Sequence, residues 1–210
     1  MTPGFWISSI TVAGHPTRRD SSVGFESGLN VIYGPSNSGK SWVLQCIDYV
    51  FGLKADEFVL DENSGYTEVR MGVRTAQGSL TLSRPIGEGA NNIKVSSTDP
   101  RIESGTYKRQ SSGHSPLLSS VWLKLIGYDA PENLKIIKNQ NLETQALTWR
   151  TFWHALYADE DRIGTKKPIL LPLQTTAQPA FKCALASLIT GNDYAAYARD
   201  ESVETRKLRN

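Results

Sequence analysis

Leu29-Asn30-Val31-Ile32-Tyr33-Gly34-Pro35-Ser36-Asn37-Ser38-Gly39-Lys40-Ser41 decides how this chain is read. An apolar, β-prone run ends in G-x-x-x-x-G-K-S, and a helical pattern opens directly behind it. A phosphate-binding loop needs that order: a strand delivers the chain to a sharp turn, backbone N–H groups face outward, and a helix N-terminus stands behind them. Gly34 and Gly39 let the backbone approach phosphate closely. Lys40 is placed to neutralise β/γ-phosphate oxygens, and the Ser41 hydroxyl to ligate Mg²⁺. Pro35, Ser36, Asn37, Ser38 and Trp42 complete the expected nucleotide-binding set.

The helix behind the loop is expected over Trp42 to Phe51. Val43, Leu44, Ile47, Val50 and Phe51 recur at helical spacing, and Gly52 follows as a C′ residue. Cys46 and Asp48 read as packing and surface residues. Working outward toward the N-terminus, Phe5 to Val12 and Val23 to Phe25 are strand-like, with a polar turn containing Arg18 and Arg19 between them. On the C-terminal side, Tyr66 to Arg74 alternates Val69, Met71 and Val73 with charged residues. Ser79 to Ile86 and Asn91 to Ser96 follow, so an antiparallel sheet with one wet face is expected. Arg84, at the end of its strand, reads as a surface charge. Residues 97–115 are polar and rich in Ser and Gly, and read as a mobile surface loop.

Helices are expected over Pro116 to Ile126, ended by Gly127, over Thr148 to Tyr157 with Thr148 as N-cap, and over Ala177 to Ile189 before Gly191. Residues 1–190 read as one lobe. Residues 191–210, highly charged, read as the start of a helical arm.

At 210 residues and 39% hydrophobic content the chain has enough material for a sizeable core. Its net charge of +2 gives no whole-chain signature of nucleic-acid binding. Two distant cysteines, Cys46 and Cys183, argue against a disulfide framework or a zinc site, and a reducing, cytoplasmic setting is the expectation. No apolar run approaches the roughly 18 residues of a membrane span, and the N-terminus lacks a signal-peptide pattern. His15, His114 and His154 have no companions at metal-ligand spacing.

Phe25-Glu26-Ser27-Gly28-Leu29-Asn30-Val31-Ile32-Tyr33-Gly34, running into Ser38-Gly39-Lys40-Ser41 and closed by Asp48-Tyr49-Val50-Phe51-Gly52, resembles the N-terminal lobe of ATPase heads of the structural-maintenance-of-chromosomes (SMC) and double-strand-break-repair group, a branch of the ABC-type ATPases. The resemblance implies an α/β P-loop fold with an antiparallel β subdomain, a departing coiled-coil arm, and ATP with Mg²⁺ as ligands. It also implies DNA as a partner, in repair, chromosome organisation or anti-phage defence, and a dimer of heads sandwiching ATP. In that family Arg18 and Arg19 would lie near the nucleotide. A Q-loop would fall on Ala155 to Ile163, with Glu160 standing where Gln is expected and able to serve as an Mg²⁺ ligand. Phe58-Val59-Leu60-Asp61-Glu62 mimics a Walker B strand but comes too soon after the P-loop, and Ser111-Ser112-Gly113-His114 lacks the context of a signature loop. The chain therefore reads as half a head, completed by a C-terminal lobe. A nucleotide or small-molecule kinase, a transporter ATPase and a non-hydrolysing nucleotide-responsive module are the alternatives.

Overall fold

The computed structural model describes residues 4–14, 18–58, 60, 64–110, 115–139, 141–164, 166 and 168–194. The expected arm beyond residue 194, the signature-like Ser111 to His114 and most of the Walker B mimic lie outside them. The chain divides into two compact units, residues 1–128 and 129–210. That division falls inside the span read as one lobe.

The first unit is an antiparallel sheet with a helix on its inner face. Its strands are β1 (Phe5–Gly14), β2 (Ser21–Gly24), β3 (Tyr66–Thr75), β4 (Ser79–Pro85), β5 (Asn92–Ser97) and β6 (Gly105–Lys108), in the order β2-β1-β3-β4-β5-β6. Alternation does what the sequence implies. Val69, Met71 and Val73 are buried while Arg70 and Arg74 face solvent. On the wet face Arg70 Nε donates to Glu68 at 2.5 Å, Arg70 Nη1 lies 3.7 Å from Asp20, and Ser83 donates to Glu68. Helix α1 (Lys40–Val50) covers the inner face, and α2 (Leu118–Leu125) adds the fully buried Trp122. The Trp122 ring lies 4.3 Å from Phe51 and 5.4 Å from Phe5.

Two expectations about secondary structure are corrected within this unit. The 97–115 stretch is not a structureless loop: it supplies β6, whose Tyr107 is buried, and a tight turn built on Asp99. A few apolar side chains suffice to seat a short edge strand, so the polar composition hid it. Asp99 is 1% exposed and accepts from Thr75 Oγ1 at 2.5 Å, Arg101 Nη2 at 2.7 Å and the Arg101 backbone N–H at 3.0 Å. A Cβ on Gly78 would come within 2.8 Å of the Thr98–Asp99 backbone, so the β3–β4 turn and the Asp99 turn fit only with glycine there.

The Arg101 guanidinium and these other donors hold the Asp99 carboxyl well below the usual carboxylate range. A depressed native pKa means that its stabilisation is complete above the unfolded value, near 3.8, and is lost as pH falls toward the folded value. Asp99→Asn is accordingly expected to lower the melting temperature at pH 7 and to flatten its fall between about pH 4 and pH 2. Parallel acid melting curves for the two proteins would exclude Asp99 as a source of that slope.

The second correction concerns the run that delivers the P-loop. Leu29 to Tyr33 reads as a strand, yet it has no ladder partner among the described residues, and Leu29, Val31 and Tyr33 are 93%, 72% and 90% exposed. Its start is organised: Asn30 accepts from Glu26 N–H at 3.0 Å and donates to Glu26 O at 2.8 Å and Gly28 O at 3.1 Å. Local chemistry fixes the turn, while strand pairing needs a neighbour that the described residues of this unit do not provide.

The second unit holds a hairpin, β7 (Lys135–Ile137) and β8 (Thr144–Ala146), with α3 (Trp149–Leu156), α4 (Glu160–Ile163) and α5 (Gln178–Thr190). Ile136, Leu147, Trp149, Phe152, Phe181 and Ala184 form its core. The Cys183 thiol accepts from Ile137 N–H at 3.2 Å, tying α5 to the hairpin. Gly127 and Gly191 end α2 and α5 with positive φ, 107° and 71°, as their sequence positions imply.

Candidate functional site: the P-loop and the aromatic shelf beside it

The loop from Gly34 to Ser41 is exposed and wraps onto the N-terminus of α1. Asn37 and Gly39 carry φ values of 60° and 84°, which turn the chain into the helix. Gly39 is the N-cap with no side-chain cap, and the first helical bond runs from Val43 N–H to Gly39 O at 3.2 Å. The N–H groups of Lys40, Ser41 and Trp42 at the first turn therefore have no intrahelical partner and carry the positive end of the helix dipole. A Cβ on Gly34 would sit 3.1 Å from Ser38 Oγ, so the loop closes tightly on itself. Lys40 Nζ reaches back over it, donating to Gly34 O at 3.0 Å, Pro35 O at 2.5 Å and Ser38 Oγ at 3.3 Å. Its ammonium is thus held among the same backbone groups that would surround a phosphate. Ser41, next in the chain, is exposed on the first helical turn.

These residues fit a nucleoside triphosphate with its Mg²⁺: backbone donors and Lys40 for the phosphates, and a hydroxyl at Ser41 for a metal that keeps most of its ligands from water and phosphate. Among the described residues no group of three or more His, Cys, Asp or Glu is arranged to hold a metal.

The far end of α1 is fixed as firmly as its start. Gly52 N–H donates to Tyr49 O at 3.0 Å and Leu53 N–H to Asp48 O at 3.1 Å, the two bonds of a Schellman motif with Gly52 at φ 107°. Arg84 is the unexpected part. Instead of a surface charge it is a fully buried plug on this helix end: Nη1 donates to Tyr49 O and, at 2.8 Å, to Leu53 O, while Nε donates to Ala90 O at 2.7 Å. Its guanidinium lies 3.8 Å over the Tyr49 ring, and the Tyr49 hydroxyl donates to Pro85 O at 2.5 Å. Burial raises the Tyr49 pKa, with the Arg84 charge working in the opposite direction. Asp48 is buried as well, contrary to its surface assignment, because Cys46, Tyr49 and Val50 turn that side of the helix toward the sheet. Burial pushes the Cys46 thiol up to about 12, which leaves it a packing group.

Beside the P-loop lies a shelf that sequence reasoning saw in part. Arg18, from the turn before β2, places its guanidinium 4.9 Å from the Tyr66 ring. Tyr66 in turn lies 6.3 Å from Trp42, which is 6.1 Å from Phe58. A 2.5 Å hydrogen bond with Ser21 and the nearby Arg18 lower the Tyr66 pKa. The structure thus gathers Arg18, Trp42, Lys40 and Ser41 around one helix N-terminus and adds Tyr66. Tyr66 is the first residue of its strand, and an aromatic at a strand mouth beside a P-loop helix was the available signal. Arg19 is exposed next to Arg18.

Glu160 belongs to the second unit. It is the first residue of α4, with an exposed side chain, and the helix is capped by Asp159, whose carboxylate accepts from Arg162 N–H at 2.8 Å. The acidic run is therefore part helix cap. Arg162, buried, donates to Tyr157 O at 2.7 Å and His154 O at 3.1 Å, closing the end of α3.

No helix among the described residues is long and apolar enough to cross a membrane. No curated protein matches the chain at a significant level. A family model described as an AAA domain matches residues 11–167, three quarters of the chain and every expected site residue. That family consists of P-loop ATPases related to the SMC and double-strand-break-repair ATPases, and its activities are ATP binding and hydrolysis. With a P-loop built as this one is and a family match across it, the chain belongs to the AAA domain family.

Proposed function

We propose that this chain is the ATP-binding N-terminal lobe of an SMC-like ATPase head, which hydrolyses ATP together with a C-terminal lobe and a second head. The observation that carries this reading is the exposed run from Leu29 to Tyr33. A β-prone apolar segment placed directly before a P-loop, with its backbone outside any ladder of the described residues, has the character of a core strand awaiting neighbours. Covering its side chains would be worth roughly 25 cal/mol for each Å² of apolar surface removed from water. A strand contributed by a C-terminal lobe supplies both the ladder and the cover.

ATP then lies with its phosphates in the Gly34–Ser41 cradle and its base toward Tyr66 and Arg18, where ring stacking and the guanidinium face are available. Glu160 is the residue that the resemblance assigns to the Q-loop role, as a ligand of Mg²⁺ directly or through water. DNA is the partner the resemblance implies, in repair, chromosome organisation or defence against foreign DNA.

The test measures Mg-ATP binding and turnover by the chain alone and with a complementary C-terminal lobe, while following hydrogen exchange at residues 29–33. The chain alone should bind ATP and turn over well below the roughly 1–10³ s⁻¹ of ordinary enzymes. Adding the lobe should raise turnover at least tenfold and protect the 29–33 amides. Fast phosphoryl transfer from the chain alone to a small acceptor would instead identify a kinase. Within the completed assembly, Glu160→Ala should weaken Mg-ATP binding or hydrolysis, and unchanged turnover would remove Glu160 from the site.

A further inference from the structure

A hollow of about 420 Å³ opens on the second unit between the β7–β8 hairpin, α3 and α5. Its polar lining is one-sided. Lys138 stands at the end of the hairpin strand, Arg150 on the first turn of α3, and between them are Gln145, the hydroxyls of Thr148 and Thr151, and the His154 ring. Among the described residues no carboxylate lines it. That is segregation rather than composition, because Lys and Arg balance Asp and Glu over residues 129–194. Three of the acids in that span are consecutive in the sequence, Asp159, Glu160 and Asp161.

The lining is also held in place. The Arg150 guanidinium rests 5.0 Å from the Trp153 ring, the Thr148 and Thr151 hydroxyls pair at 3.0 Å, and His154 stands edge-on to Phe181 at 6.3 Å. Burial, then the charges of Arg162 and Arg150, keep the His154 pKa below its ordinary value, so the ring serves as a neutral donor and acceptor. A second hollow, about 360 Å³, shares Thr176 with the first and is lined by Asn139, Asn141, Thr175 and Pro179. On the same hairpin the Glu143 carboxylate is engaged by the Asn139 amide at 2.7 Å.

We propose that this groove is a seat for single-stranded nucleic acid, with Lys138 and Arg150 on the phosphates and the amides and His154 toward sugar and base edges. Two neighbouring hollows with Thr176 in the lining of both fit a linear ligand better than one small anion. Cations without opposing carboxylates select phosphate, and amides beside a planar ring suit exposed bases. The choice of polymer rests on the DNA-associated reading above, whereas the groove's chemistry does not depend on the P-loop.

The experiment uses the full chain and a fluorescein-labelled oligothymidylate, with anisotropy read across a salt series and Mg-ATP binding measured in parallel. The Lys138→Gln/Arg150→Gln double variant should bind the oligonucleotide roughly tenfold more weakly, and its log–log salt slope should fall by about 1.4, the value for two phosphate contacts on a single strand. Lys138→Arg and the exposed control Lys182→Gln should bind like the parent, and ATP binding should be unchanged in all variants. Unaltered oligonucleotide affinity in a folded double variant overturns the proposal. Displacement of the oligonucleotide by stoichiometric inorganic phosphate also overturns it, as it marks a small-anion pocket. Should Arg150→Gln unfold the unit through loss of its Trp153 contact, Lys138→Glu alone decides: a severalfold loss supports the groove, and no loss ends it. A wild-type chain that fails to bind ATP yet binds the oligonucleotide through Lys138 retires the ATPase-head reading and keeps this one.

Discussion

Lys40→Ala should abolish measurable ATP binding at micromolar nucleotide while leaving the melting temperature of the nucleotide-free protein within about a degree. Charge-assisted hydrogen bonds are worth roughly 1.5–3 kcal/mol each, so two contacts to β/γ-phosphate oxygens amount to about a hundredfold or more in affinity. The stability side follows from where the ammonium sits. Its partners, Gly34 O, Pro35 O and Ser38 Oγ, belong to an exposed loop and are rehydrated when the side chain is removed. Lys40→Arg should not restore binding, because a planar fork cannot occupy the compact space among those carbonyls. Titration with a fluorescent ATP analogue and a thermal melt decide the matter. Binding by Lys40→Ala within threefold of the parent would mean that the loop does not hold the phosphates.

Arg84→Met should have the opposite profile, a large loss of stability from a residue that touches no nucleotide. The side chain is fully buried and bonds three carbonyls on two segments, Tyr49 and Leu53 at the end of α1 and Ala90 beyond β4. Methionine fills similar volume but takes the arginine donors from Leu53 O and Ala90 O and leaves Tyr49 O with Gly52 N–H alone; at roughly 1–3 kcal/mol for each of the two orphaned acceptors before relaxation, about 3 kcal/mol is expected. The cation also faces the negative end of the α1 dipole, an interaction methionine forfeits. Arg84→Lys should recover less than half, since one ammonium cannot span three separated carbonyls. Urea denaturation reads this as a fall in midpoint at constant slope. A loss below about 1 kcal/mol would show that other groups supply those hydrogen bonds.

Arg84 also shows how far the sequence could be read. Leu80, Leu82 and Arg84 share one parity on β4, so the alternation that places two leucines in the core places the arginine there too. Charge suggested surface where periodicity pointed inward, and what lets the charge be buried, the carbonyls at the end of α1, comes from more than 30 residues away. The P-loop, its helix, the Gly52 cap and the β3–β5 meander were legible because each is set by local spacing. β6 was not, since its burial rests on so few side chains in a polar stretch. Leu29 to Tyr33 had every local mark of a strand and still lacks a ladder, because pairing is a property of two segments. The aromatic shelf was half visible: Arg18 and Trp42 were candidates, while Tyr66 joins them through a β1–β3 register that no local pattern reveals. The groove on the second unit was invisible in a chain whose charges nearly cancel.

The exposed run from Leu29 to Tyr33 also bears on the order of assembly. Local contacts form early in folding, and pairings between distant or separate segments form late. The meander and the α1 cap can therefore mature first, leaving the strand that carries the nucleotide loop as the final piece to be zipped. Until then the loop hangs on one tether, its helix. Nucleotide bound by a freshly made chain would accordingly sit on a loop anchored from one side, and under the proposed reading the site would be finished only when a complementary strand arrives.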